Sequence, residues 1–381
     1  MKHNPALDGL RGIAILAVVL SHALATRGFS GGWIGVEIFF VLSGYLITSI
    51  LMNEWDARGE VSLRRFYYRR VLRLYPALIT LVMVGAVFGS VLGYGESYAG
   101  YLLTAILCVS YLMDFSLFFF ADYFTDFGQL GHVWSLSVEE HFYLLWPVAL
   151  LVLLRRRVDP RWATALATLV SVVLLATTGG RLIGVTPASY FAPHTQACAP
   201  LIGCLLALQM RRNRTSVLLV RRAAQVGFVG LLGLAGTFAY ASAVPKAEGL
   251  VPQVILSVVF SALVIFGVSA DRASAGAKAL SLRPLRWIGK ISYGWYLYHL
   301  PLEIVLQRFL PIPDGAAIII SVPVSLLAAA LSYRYIEEPF LRRKPKTVAA
   351  GHPAPGTGRP VDRMIVLDGR PVDARQDKAG F

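Results

Sequence analysis

Apolar runs that approach or exceed the length of a bilayer crossing recur along nearly the whole chain, and this excludes a soluble fold. A helical crossing needs roughly 17 to 25 mostly apolar residues. Such runs fall at residues 11–27, 33–52, 72–93, 133–154, 162–179, 195–210, 223–243, 250–270, 290–310 and 315–336, with short polar breaks between them. A chain of 381 residues would ordinarily suggest two soluble domains, but 56% hydrophobic and 15% charged content with a mean hydropathy of +0.60 displaces that expectation. The expected fold is an all-α, polytopic transmembrane helix bundle of about ten spans over residues 1–346. The remainder, 347–381, is rich in Pro, Gly, Arg and Asp and reads as a disordered cytoplasmic tail.

The formal charge of +14 belongs to topology rather than to nucleic-acid binding, because the arginines sit in short loops and not on one soluble basic face. Basic loops at Arg58–Arg73, Arg155–Arg161, Arg211–Arg222, Arg272–Lys290 and Arg342–Lys346 alternate with loops holding little more than Arg27, Arg181 and Lys246. Cytoplasmic loops retain Lys and Arg, so both termini are expected on the cytoplasmic side of the plasma membrane. Between Arg73 and Arg155 the chain must then cross an even number of times. Residues 98–120 are therefore expected to form a re-entrant or interfacial segment, the alternative being two short crossings. Ala23–Ala25 imitates a signal-cleavage site, but a signal core has no use for His22, and the first run reads as a retained span. Cys108, Cys198 and Cys204 lack zinc-ligand spacing and read as buried inert thiols; no metal site is expected.

Within the first run, LDGLRGIAILAVVLSH, Arg11 and His22 are eleven residues apart. That spacing is about three helical turns and about 16 Å of rise, so both lie on nearly one face. Arg11 falls at the cytoplasmic edge and His22 in the outer half of the bilayer. The second run descends from outside, placing Glu37 near the depth of His22, and the run HVWSLSVEEHFYLLWP brings Glu139 and Glu140 to a comparable depth. Adjacent helical residues point about 100° apart, so one of these two carboxylates is expected to face the histidine. Ionisable groups in hydrocarbon cost several kcal/mol unless paired, which makes them functional candidates. The competing reading is a polar clamp between helices, worth about 1 kcal/mol per contact. A His beside a carboxylate has the parts of a general base.

In RRFYYRRVLRLYP, Arg70 and Arg73 are three residues apart and share a helix face, where they can hold phosphates or serve as positive-inside anchors. His299 in SYGWYLYHLPLE lies near mid-membrane, where packing or hydrogen bonding is the simpler role, and Glu337 and Glu338 in RYIEEPF fall at the inner interface, where charge is cheap. GFSGGW lacks the Lys and Ser or Thr of a phosphate loop and reads as a tight connection.

Six stretches in order, LDGLRGIAILAVVLSH, GVEIFFVLSGYLIT, FYYRRVLRLYP, HVWSLSVEEHFYLLWP, SYGWYLYHLPL and RYIEEPF, resemble the type 3 membrane acyltransferase family, O-acetylase-like proteins that modify bacterial glycans and some antibiotics. The resemblance spans residues 5–341. The family's Arg, ten residues, His pattern falls on Arg11 and His22, and its paired arginines fall on Arg70 and Arg73. It implies acyl transfer, usually of acetyl, from acyl-CoA as a co-substrate, with no permanently bound cofactor, to a hydroxyl of a carbohydrate or a glycosylated or macrolide-type acceptor. It further implies His22 as catalytic and Arg70 and Arg73 as donor contacts; the placement of the residues adds Glu37 or Glu139 as the group orienting His22 as base, Arg11 as a further donor contact, and Glu140 and His299 as acceptor-side or structural polar groups. His141 stands where relatives more often have Gln, which bears on the acceptor pocket, and no esterase-like soluble domain follows the last span. A proton-coupled transporter or exporter using the same His and Glu residues is the alternative from another class.

Overall fold

The structure is a computed structural model that describes residues 3–24, 28–92, 98–119, 128–178, 190–212, 221–309 and 314–343, together with 366–367 and 370–371. Two units are distinguished, Met1–Pro345 and Lys346–Phe381. Of the second, Val366–Leu367 and Arg370–Pro371 form a short antiparallel pair, and the rest of the expected disordered tail lies outside the described residues.

The first unit is a helix bundle. Its helices are α1 (Pro5–Leu24), α2 (Gly35–Arg58), α3 (Leu63–Leu92), α4 (Tyr98–Val109), α5 (Met113–Phe119), α6 (Trp134–Arg155), α7 (Pro160–Thr178), α8 (Cys198–Arg212), α9 (Ala223–Ala243), α10 (Lys246–Ala270), α11 (Ala275–Leu280), α12 (Arg283–Phe309), α13 (Asp314–Ser332) and α14 (Glu338–Arg342). Short 3-10 turns at Gly31–Ile34 and Gly128–Val133 lead into α2 and α6, a single turn at Pro193–Gln196 precedes α8, and a π-turn at Tyr333–Glu337 joins α13 to α14.

Among the described residues, eight helices are long and apolar enough to cross a membrane. The two other expected spans correspond to α8, which has 15 described residues, and to α12, which has 27. Helix α12 is long enough but too polar, because it opens with Arg283, Arg286 and Lys290 and then buries Ser292, His299 and Glu303 within the bundle. Over the described residues 98–119, length fits both expectations, a re-entrant or interfacial segment and two short crossings. Helices α4 and α5 have 12 and 7 residues and are separated by a turn in which Tyr111 takes a positive φ of 56°, so neither is a full crossing.

The bundle is apolar outside and polar in selected places inside, as a lipid environment requires. On α7, Trp162, Leu166, Leu169, Val170 and Val173 are exposed while Thr164, Thr168 and Ser171 are buried. Thr164 and Thr168 each donate to the carbonyl four residues earlier, at 2.6 and 2.8 Å, and Ser171 donates to the His194 carbonyl at 2.7 Å, so each of these three buried hydroxyls has a partner. The three cysteines are buried and unpaired with one another.

Helices α1 and α2 form the centre: 72% of the span built on α2 and 61% of that built on α1 is buried, against 22% for α3, α7 and α13. Small residues permit the closeness. A Cβ on Gly9 would collide with the carbonyl oxygen of Leu280 at the end of α11, one on Gly12 with that of Leu285 and one on Gly289 with that of Asp8, so α1 meets the end of α11 and the start of α12 backbone to backbone. Gly44 of α2 and Gly203 of α8 meet their partner helix in the same manner. Gly12→Val should force α1 and α12 apart, lowering stability by about 1–3 kcal/mol. Thermal unfolding of the detergent-solubilised variant against wild type measures this, with Gly236→Ala, where a Cβ meets nothing within 4 Å, as the neutral control.

Candidate active site

Arg11 lies two turns into α1, and Arg70 and Arg73 lie on one face of α3, so the helical period alone aims both α3 arginines inward. They converge with Arg11 on a cavity of about 170 Å3. Its other polar walls are Ser43 from α2, Ser135, Glu139 and Tyr143 from α6, and Ser292, Tyr293 and Tyr296 from α12; Phe39, Phe40 and Leu46 supply an apolar side.

The three guanidinium groups differ in how they are satisfied. Arg70 donates to Glu140 Oε1 through Nε at 2.8 Å and Nη2 at 2.7 Å, lies 3.8 Å from Glu139, and stacks 3.0 Å from the Tyr143 ring centroid. It is held from three directions. Arg11 and Arg73 form no hydrogen bond or ion pair with any described residue and repel one another. Glu139, and from the π-turn Glu337, attract this pair without contacting it. Two cations held close together in a cavity, with carboxylates only at a distance, make a site for an anion.

Glu139 does not turn toward His22 in this arrangement. Its Oε1 accepts from Ser43 and from Tyr143, and it lines the arginine cavity. Helix α6 begins already sunk within the bundle, and Glu139 lies five residues, about 7.5 Å of rise, beyond Trp134. The residue that reaches the level of the histidines is His132, in the 3-10 turn before α6, whose ring lies 5.3 Å from that of His299. Glu140 points to the other side of α6 and is occupied by Arg70. His141 Nδ1 lies 3.1 Å from Oδ2 of the fully buried Asp114 on α5, which ties α5 to α6.

His22 is exposed at the end of α1. Its Nδ1 lies 3.0 Å from the Val18 carbonyl oxygen, and because a carbonyl only accepts, Nδ1 carries the proton and Nε2 is the basic nitrogen. The backbone therefore does the orienting work expected of a carboxylate. Glu37 is fully buried near the start of α2, and neither of its carboxylate oxygens has a hydrogen-bond partner among the described residues. Its electrostatic partner is Lys246 at the start of α10, whose Nζ lies 4.3 Å from the Trp33 centroid and 3.9 Å from that of Tyr190. Lys246 also acts on His22. Lys246 thus exerts an electrostatic influence on both Glu37 and His22.

A chain of groups joins the arginine cavity to His22. Tyr296, on the cavity wall, shares a hydrogen bond of 2.6 Å with Ser135 and donates to the His132 carbonyl at 2.5 Å. One turn further along α12, His299 is buried, and its ring centroid lies 5.1 Å from that of His22.

The chain matches the acyltransferase-domain family model over residues 4–334. It belongs to the type 3 acyltransferase family. Peptidoglycan O-acetyltransferase OatA of Listeria monocytogenes is 34% identical over 356 residues, covering 89% of this chain and 56% of that protein. O-acetyltransferase OatA of Staphylococcus aureus is 31% identical over 368 residues, covering 91% and 59%. A putative peptidoglycan O-acetyltransferase of Bacillus subtilis, YrhL, is 33% identical over 356 residues, covering 89% and 55%. The chain therefore spans somewhat more than half the length of these relatives. No solved structure matches it.

Sequence reasoning singled out the arginines and His22 and gave no role to four other groups. Lys246 read as a stray loop charge, and His132 as the unremarked first residue of a motif. Ser135 and Tyr296 stand in quoted motifs without a role. Glu337, expected at the inner interface, is 3% exposed, because the π-turn adds a residue to its helical turn and rotates the side chain inward beside Gly294. The ion pairs differ in weight. Glu140→Gln leaves a largely buried Arg70 without its main partner and should cost about 3 kcal/mol. Glu54→Gln, which breaks only contacts of 3.8 and 3.9 Å to Arg58 and Arg65, should cost under about 1 kcal/mol. Chemical or thermal unfolding in detergent ranks the two.

Proposed function

We propose that this protein is a plasma-membrane O-acyltransferase that moves an acyl group, most simply acetyl, from acyl-CoA to a hydroxyl of a carbohydrate. The observation that carries the reading is the pair Arg11 and Arg73, two mutually repelling guanidinium groups without ion-pair partners among the described residues, on the wall of one cavity. Phosphates of coenzyme A supply the missing negative charge, and Arg70, locked by Glu140 and Tyr143, gives the cavity a rigid wall. The positive-inside reading of the loops puts this cavity at the cytoplasmic side, where acyl-CoA is found, and His22 in the outer half of the membrane. The thin pantetheine arm spans the distance between them.

His22 then acts on the acceptor. With Nδ1–H fixed on the Val18 carbonyl, Nε2 takes the proton of an acceptor hydroxyl as its oxygen attacks the thioester carbonyl. The exposure of His22 leaves room for a bulky acceptor to approach, while Lys246 holds charge beside Glu37 and His22. Relatives named as peptidoglycan O-acetyltransferases favour an envelope glycan as acceptor over a macrolide-type molecule.

His22→Ala should lower acyl transfer by about 100-fold or more while the protein still folds and inserts. Activity comparable to wild type would rule out His22 as base. Arg73→Ala should raise the donor KM by about 10-fold or more with little change in acceptor KM. Steady-state kinetics varying each substrate in turn measures both, and equal shifts would mark Arg73 as an anchor only.

A further inference from the structure

We infer that His299 is a second catalytic histidine, which carries the proton taken up by His22 to the departing thiolate. The inference rests on the acyl-CoA reading above and concerns where the proton of the acceptor goes.

His299 has three properties that a packing histidine does not need together. Its ring centroid lies 5.1 Å from that of His22, a separation at which ring nitrogens can meet at about 3 Å. Its Nδ1 lies 2.7 Å from the Tyr296 carbonyl oxygen, which only accepts, so Nδ1 holds the proton and Nε2 carries the lone pair. That Nε2 is buried and has no hydrogen-bond partner among the described residues. A buried nitrogen left without a partner normally costs stability, about 1–3 kcal/mol, so its retention calls for a use.

The two histidines are set up alike and face different ways. Each is held in the Nδ1–H form by a carbonyl of its own helix, Val18 for His22 and Tyr296 for His299. His22 is exposed, toward the acceptor; His299 is 2% exposed and sits one turn from Tyr296 on the wall of the arginine cavity. The aromatic rings against His299 are His22, His132 and Tyr296, and the charged side chains acting on it among the described residues are His132 and His22. None is a carboxylate, so a proton arriving on His299 has no counter-ion to hold it there.

The steps balance. The acceptor oxygen forms its bond to the thioester carbonyl carbon while its proton moves to His22 Nε2. His22 passes that proton to His299 Nε2. As the carbon–sulfur bond breaks, the sulfur keeps the electron pair and takes the proton from His299, giving free thiol. Both imidazoles return to the Nδ1–H form, and the net change is one proton moved from hydroxyl to sulfur.

The test separates leaving-group protonation from structure. His299→Asn keeps a donor near the position of Nδ1 and removes Nε2; His299→Gln serves as the second variant where the first folds poorly. Full-length protein in nanodiscs is assayed with solubilised peptidoglycan glycan strands and either acetyl-CoA or S-(4-nitrophenyl) thioacetate, whose thiol departs without protonation. The His299 variant should lose about 100-fold in turnover with acetyl-CoA and less than about 5-fold with the activated ester, whereas His22→Gln should lose equally with both. An unchanged rate with acetyl-CoA, or equal losses with the two esters, would overturn the role of His299. Failure of wild type to acetylate the strands from acetyl-CoA would instead overturn the proposed function.

Discussion

The site depends on how closely α1 and α12 approach. Lipid offers no hydrophobic gain for bringing two apolar helices together, so their association relies on dense packing, and glycine makes the packing possible. Gly12 on one helix and Gly289 on the other let backbone meet backbone, and Gly9 does the same against the end of α11. His22 and His299 lie further along these same two helices, and their rings face each other across the continued seam. The same closeness sets Arg11 on α1 against the wall to which α12 contributes Tyr293 and Tyr296.

Around that seam, the polar groups divide into two kinds. Some are spent on structure: Arg70 on Glu140 and Tyr143, His141 on Asp114, the α7 hydroxyls on carbonyls of their own helix or its neighbour. Others have unmet demand among the described residues, including the guanidinium groups of Arg11 and Arg73, the carboxylate of Glu37 and Nε2 of His299. A low-dielectric interior penalises the second kind. Their grouping along one route from the arginine cavity to His22 is why the route, rather than any single residue, carries the functional reading.

Much of this was legible beforehand. The all-α membrane class followed from the length and recurrence of apolar runs, and the pairing of Arg11 with His22 along one face followed from helical period. Loop charge argued against a single full crossing over residues 98–120, and the described part of that segment holds two short helices. The partners of the carboxylates were not legible. Sequence spacing placed Glu139 level with His22 by assuming that α6 starts at the membrane surface, whereas the 3-10 turn at Gly128–Val133 puts His132 at that level and Glu139 deeper. Glu337 escaped for a similar reason, since a π-turn shifts the helical phase by one residue without a mark in composition.

The sequence by itself determined the environment and, wherever the helix stays regular, the face a charged residue takes on its own helix, because these follow from hydrophobic run length and a period of 3.6. Only the tertiary structure decided which faces meet. It set Arg11 against Arg73, handed the orientation of His22 to the Val18 carbonyl, brought Lys246 to Glu37, and joined His299 to His22. Those pairings depend on depth, register and the contact distance that glycine permits between helices far apart in the chain, and no local pattern of residues encodes them.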